Sequence, residues 1–127
     1  MIKKIIELGT LTIVSARKKL DSKEFSAVEL AQAYLDAISK KNKELNVYLE
    51  VYDDVLEQAR AADKLIAEGK SFPLLGIPLA IKDNILIKGK KATSGSKILE
   101  GYIASYDATV ITKLKAQGAV FLGRVNM

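Results

Sequence analysis

Apolar side chains recur at helical spacing through the first half of the chain and gather into short runs through the second. Thr12 is placed to cap a helix through about Leu20, with Val14, Ala16 and Leu20 on its apolar side and Arg17, Lys18 and Lys19 in water. Residues 21–24 form a loop. Ser26 and Glu29 then have the spacing of a capping box, in which each side chain satisfies one orphan N–H at the start of a helix. That helix runs to about Lys43. Ala27, Leu30, Ala31, Tyr34 and Ile38 share one face, which reads as core or as a subunit-facing surface, while Glu29, Asp36 and Lys40 lie elsewhere. Asn46-Val47-Tyr48-Leu49-Glu50-Val51 alternates loosely, as a short strand does. Asp53 or Asp54 starts a third helix with a stripe of Val55, Ala59, Ala62 and Ile66, and Gly69 stops it.

The second half changes period. Ser71-Phe72-Pro73 leads to Gly76 and Pro78, a stiff turn into Leu79-Ala80-Ile81, which reads as a short buried strand. Lys82, Asp83 and Asn84 follow at once. After Ile85-Leu86-Ile87 and a turn at Lys88-Gly89-Lys90-Lys91 comes Thr93-Ser94-Gly95-Ser96. This small polar loop can present hydroxyls and N–H groups to a ligand or a neighbouring lysine, or simply cap the turn Lys97-Ile98-Leu99. Asp107 is expected to cap a helix to about Gln117, with Val110, Ile111 and Leu114 inward and Gly118 as its stop. Ala119-Val120-Phe121-Leu122-Gly123 fits a parallel strand covered on both faces. Strand, loop, helix and strand from Leu79 to Gly123 make a βαβ-like unit, so the fold class is α/β. Residues 1–70 are expected to be mainly helical and residues 71–127 to carry the strand-loop-helix-strand unit. A sheet this small leaves faces and edges bare, so the chain reads as the amino-terminal portion of one larger domain.

Composition narrows the chemistry. The 127 residues suit one globular domain, with 49% hydrophobic and 28% charged residues. There is no cysteine and no histidine. That excludes a disulfide framework, a thiolate or imidazole metal site and a histidine-based triad within this chain. The net charge is +5. Its two small clusters, Lys40-Lys41 with Lys43 and Lys88 with Lys90-Lys91, read as solvated faces rather than phosphate sites. Residues 1–9 imitate a signal peptide, but Glu7 and Gly9 cut the apolar run short.

One residue stands out chemically. Lysine and arginine together number 20, and of these only Arg17, Arg60 and Arg124 are arginines. Most of the lysines are surface groups, whereas Lys82 ends an apolar run. Removing an ammonium from water is costly, so an amine held in a partly dry pocket tends to shed its proton and can then serve as a base.

Gly76-Ile77-Pro78-Leu79-Ala80-Ile81-Lys82-Asp83-Asn84 resembles the start of the amidase signature family. Further pieces keep that family's order: Thr93-Ser94-Gly95-Ser96-Lys97-Ile98-Leu99-Glu100, Tyr106-Asp107-Ala108-Thr109-Val110, Gly118-Ala119-Val120 and Gly123-Arg124-Val125-Asn126-Met127. Within the family these pieces most resemble the A subunits of glutamyl-tRNA(Gln)/aspartyl-tRNA(Asn) amidotransferases, and the likeness extends upstream to about Leu11. The resemblance implies the amino-terminal part of the amidase signature fold, a mixed sheet covered by helices, incomplete in this chain. It implies a Ser–cis-Ser–Lys triad with Lys82 as its lysine, and it puts both serines beyond Met127, giving neither Ser94 nor Ser96 that role. Asp83, Asn84 and Ser96 become candidates for orienting the lysine or lining the substrate pocket. The implied reaction is glutamine hydrolysis, with ammonia passed to subunits B and C of a heterotrimer that amidates Glu-tRNA(Gln) or Asp-tRNA(Asn) using ATP and Mg. The glutamine-hydrolysing component itself is expected to need no cofactor or metal, and the expected location is the cytoplasm or an organelle of bacterial type. Two other readings stay open: a stand-alone amidase, and a binding module that docks a partner through its amino-terminal helices. The 127 residues alone are expected to have no glutaminase activity.

Overall fold

Helix caps set the first layer. In the computed structural model, which describes residues 5–127, a 3-10 turn at Leu8–Thr10 precedes α1, Ile13–Asp21. Thr12 caps α1, and Ser15 returns the bond to the Thr12 N–H. The expected box of Ser26 and Glu29 opens α2, Ala27–Leu45. A second device reaches the same end: Asp63 accepts from the Ala27 and Val28 N–H groups at 2.7 and 3.1 Å. Asp63 lies on α3, Val55–Ala67, so one carboxylate both caps α2 and fixes how α3 crosses it. Ala27, Leu30 and Ala31 of α2 are buried with Val55, Ala59 and Ala62 of α3, and Tyr34, Ile38 and Ile66 extend the contact from half-buried positions.

The sheet has three strands in the order β1-β3-β2. β1 is Tyr48–Val51, β2 is Pro78–Lys82 and β3 is Val120–Val125. The central strand pairs parallel with β2, setting Pro78 opposite Val120 and Lys82 opposite Val125. It pairs antiparallel with β1, setting Glu50 opposite Arg124. The sheet is therefore mixed, and β1, from the mainly helical half, joins the βαβ unit of the other. Residues 120–123 of β3 are buried, as their apolar run predicts. Helix α4, Thr109–Ala116, makes the crossover from β2 to β3. Gln58 extends the β1 side of the sheet: its side-chain amide accepts from the Phe121 N–H at 2.8 Å and donates to the Phe121 carbonyl at 3.1 Å. Among the described residues no helix is long and apolar enough to cross a membrane.

Four expectations are corrected. Leu79-Ala80-Ile81 is buried on one side only: Ile81 is buried, Leu79 half-buried and Ala80 exposed, because α-helical cover lies against a single face of β2. Arg17, expected in water, is buried while Val14 is exposed. The Arg17 guanidinium is drawn inward by the Leu75 carbonyl at 2.9 Å, Asp21 at 2.7 Å and Ser71 at 3.2 Å, a full set of acceptors that offsets its desolvation. Asp107 does not cap α4. Its carboxylate accepts from Lys115 Nζ at 2.8 Å and from the Lys88 N–H at 2.7 Å. The Lys115 bond, then the Lys88 N–H, hold the Asp107 carboxyl below its usual range. Val110 of α4 is exposed, and Ile111 is the residue that enters the core.

Gly123 marks the tightest approach in the sheet. A Cβ there would lie 2.1 Å from the Glu50 carbonyl oxygen and 3.0 Å from Val51 Cα. Those are backbone atoms, so neither can rotate away. Gly123→Ala is expected to lower stability by about 1–3 kcal/mol, read as a drop in the denaturation midpoint. A midpoint equal to that of the parent would show that β1 does not press on β3 here.

Candidate active site

Lys82 is the last residue of β2, and the chain turns immediately after it. The Ile85 N–H donates to the Lys82 carbonyl at 3.0 Å, and the Asp83 N–H donates to the Val125 carbonyl at 3.0 Å. These bonds fix the backbone on both sides of the lysine. Its side chain is exposed and makes no ion pair or side-chain hydrogen bond among the described residues. The partly dry surroundings anticipated from its apolar run are not supplied by residues 5–127.

Asp83 is the opposite case. It is 1% exposed, and its carboxylate receives four donors. Oδ1 accepts from the Thr93 N–H at 3.0 Å and from Arg124 at 2.8 Å. Oδ2 accepts from the Gly95 N–H at 3.0 Å and from the Thr93 hydroxyl. A carboxylate has about four lone-pair sites, so this one is saturated. Its partners are the 93–95 loop and the guanidinium, and none of its bonds reaches the Lys82 amine.

The loop is shaped to make those bonds. Ser94 and Gly95 both have positive φ, 50° and 67°. Two left-handed residues in succession turn nearby N–H groups to one side, a concave arrangement suited to an anion. Here the anion is internal. The base of the excursion is closed by a bridge between Lys91 and Ile103 and by the Ala104 N–H on the Lys90 carbonyl at 2.9 Å. At its far side Ser96 precedes the 3-10 turn Lys97–Leu99 without a side-chain cap bond. Ser96 is half-buried, and its hydroxyl makes no hydrogen bond among the described residues. It lines a groove of about 330 Å³ with Thr93, Gly95, Lys97, Arg124 and Asn126. Asn84 is exposed in the turn after Asp83. The structure thus brings Asp83 and the Ser96 loop together and sets Lys82 and Asn84 on solvent-facing positions beside them.

Arg124 and Glu50 complete the cluster. Arg124 donates from Nε to Glu50 at 2.9 Å and from Nη1 to Asp83 at 2.8 Å. Sequence reasoning gave neither residue a role. The available signal was an arginine closing the apolar run of β3, since a guanidinium so placed needs a carboxylate partner. Burial works against the Arg124 charge, and Glu50 and Asp83 more than offset it, holding the guanidinium above its usual value. For Asp83, burial pushes the carboxyl up, but the Thr93 hydroxyl, the Thr93 and Gly95 N–H groups and Arg124 outweigh it and bring it down from 3.8 to about 2.

A carboxyl lowered in the folded state stabilises fully above its ordinary value, and that stabilisation is lost as pH falls toward the folded value. Between about pH 4 and pH 2 the protein is expected to lose about 2 kcal/mol through Asp83. Asp83→Asn is expected to lose about 3 kcal/mol at neutral pH, since it leaves Arg124 and the loop donors short of an acceptor, and to lack that part of the acid slope. Denaturant unfolding at several pH values measures both. A variant with the parent's acid slope would show that Asp83 is not the group responsible.

Comparisons with known proteins bear on the family and the fold. The sequence model of the Amidase family matches residues 29–127. The A subunit of glutamyl-tRNA(Gln) amidotransferase from Ruminiclostridium cellulolyticum is 47% identical over 123 residues, which is 96% of this chain and 25% of that protein. The protein of the same name from Desulfatibacillum aliphaticivorans is 49% identical over 121 residues, 94% of this chain and 25% of its own length. Among solved structures, the peptide amidase of Stenotrophomonas maltophilia superposes with a TM-score of 0.88 at 30% identity, over 93% of this chain and 25% of that one. The chain spans about a quarter of the length of the curated relatives it matches. With a family match over most of its residues and the same α/β fold in its structural neighbours, the chain belongs to the amidase family.

Proposed function

We propose that the chain is part of the glutamine-hydrolysing component of a tRNA-dependent amidotransferase, and that Lys82 is the base of its amide-cleaving centre. The observation that carries this reading is the near one-half identity, over almost the whole chain, to proteins named as the A subunit of glutamyl-tRNA(Gln) amidotransferase. The peptide amidase, which stands for the alternative of a stand-alone amidase, is more distant in sequence.

In this reading the nucleophile and the bridging serine belong to the complete protein, in the segment that the family resemblance puts beyond Met127. The Lys82 amine takes a proton from the bridging serine as that serine takes one from the nucleophile. The nucleophile's oxygen then bonds to the side-chain amide carbon of glutamine, and the negative charge that develops on the carbonyl oxygen is held by backbone N–H groups. The proton returns through the bridging serine to the nitrogen, the C–N bond breaks, and ammonia leaves a glutamyl ester. Water hydrolyses the ester to glutamate. Ammonia passes to partner subunits B and C, where Glu-tRNA(Gln) or Asp-tRNA(Asn) is amidated with ATP and Mg. The reading assigns no cofactor to the glutamine-hydrolysing component, and it locates the complex in the cytoplasm or an organelle of bacterial origin. Exposure of Lys82 here fits a side chain that reaches its hydroxyl partners outside the described residues.

The test uses the complete complex with Lys82→Ala. Glutaminase turnover is expected to fall about 100- to 10,000-fold, while tRNA amidation supplied with ammonium salts in place of glutamine stays at the parent's rate. Glutaminase within about threefold of the parent would remove Lys82 from the chemistry, a much smaller change than loss of a general base produces.

A further inference from the structure

Lys82 has no side-chain partner of its own among the described residues, so its direction is inherited from the backbone that carries it. That backbone is held on its far side by Asp83. The Asp83 N–H is tied to the carbonyl of Val125, the neighbour of Arg124 on β3, and its carboxylate is tied to Arg124 itself. Arg124 in turn holds Glu50 of β1. A single guanidinium therefore joins the outer strand β1, the central strand β3 and the residue that follows Lys82. Asp83 passes the constraint on to Thr93 and Gly95, and so to the loop that ends at Ser96.

We propose that Arg124 is a positioning residue for amide cleavage: by fixing Asp83 between β3 and the 93–95 loop, it sets where the Lys82 amine points. The proposal rests on the assignment of Lys82 as base. Arg124 does not touch the reacting atoms. It acts by holding a buried carboxylate ionised and in place, because a carboxylate deprived of its counter-charge in so enclosed a position regains its proton more readily, and a protonated acid has fewer acceptor sites left for the loop. Glu50 has the lesser part of aligning the guanidinium plane, which a paired carboxylate does through fixed fork geometry.

The experiment is steady-state glutaminase kinetics on the complete complex, with kcat and KM measured from about pH 5 to pH 9. Arg124→Gln is expected to lower kcat about 10- to 100-fold, the usual scale for a group that orients a reacting one, with KM within about threefold. Its acidic limb in kcat is expected to move to higher pH. Arg124→Lys, which keeps the charge but not the fork, is expected to recover part of the loss and to return the limb toward the parent's position. A role in folding alone predicts a lower melting temperature with kcat per folded molecule and its pH profile unchanged, and that result overturns the proposal. So does a loss confined to KM. Should Arg124→Gln not fold, Glu50→Gln reads the same coupling from a partly exposed position: a fall in kcat of about threefold or more at constant KM supports it, and an unchanged kcat overturns it. Loss of activity in Lys82→Ala together with an unaffected Arg124→Gln discards this inference alone. Retained activity in Lys82→Ala discards the functional reading beneath it.

Discussion

A buried carboxylate with all of its lone pairs in use organises this part of the fold. Asp83 is enclosed at the junction of β2, β3 and the 93–95 loop, and it receives two N–H groups, a hydroxyl and a guanidinium. An ionised group in that position is stable only when such a set is complete, because each missing donor would leave desolvation unopposed. The donors come from two separate stretches, the 93–95 loop and β3, and the carboxylate ties both to its own place at the end of β2. The cluster therefore fixes their mutual placement in a way that apolar contacts, which lack direction, do not.

The neighbouring lysine takes no part in it. Consecutive residues at a strand end serve different surroundings: Asp83 faces inward to the cluster and Lys82 stands exposed. The pair combines a rigid anchor with a free amine. The central strand makes this possible. β3 carries Arg124 to the cluster, receives the Asp83 N–H at Val125, and pairs with both β1 and β2. Helices α2 and α3, joined by the Asp63 cap, lie against the apolar side of the sheet and leave the strand end open.

Much of this was legible in the residues. Short-range signals are legible in the sequence because their physics is local. The cap at Thr12, the box at Ser26, the stripes of α2 and α3 and the apolar run of β3 each depend on residues within a few positions of one another. The family resemblance, carried by ordered pieces from Gly76 onward, holds in the family match and the fold. The misread positions have long-range causes. Arg17 is buried because Leu75 and Ser71, more than fifty residues away, offer acceptors. Asp107 serves Lys88 and Lys115 rather than its own helix. Asp83 stands out in the sequence as a polar group beside the lysine, yet its partners Thr93, Gly95 and Arg124 emerge only once β2 and β3 are known to be adjacent. One hint lay in the sequence: a lone arginine at the end of a buried strand implies a carboxylate across from it.

The proposed role of Lys82 depends on where its amine lies in the full-length protein. A crystal structure of the full-length protein measures this directly. Lys82 Nζ is expected within about 3 Å of a serine hydroxyl, enclosed from bulk water, with the Asp83–Arg124 pair intact behind it. An amine that points into open solvent in that structure, far from any serine, would contradict it.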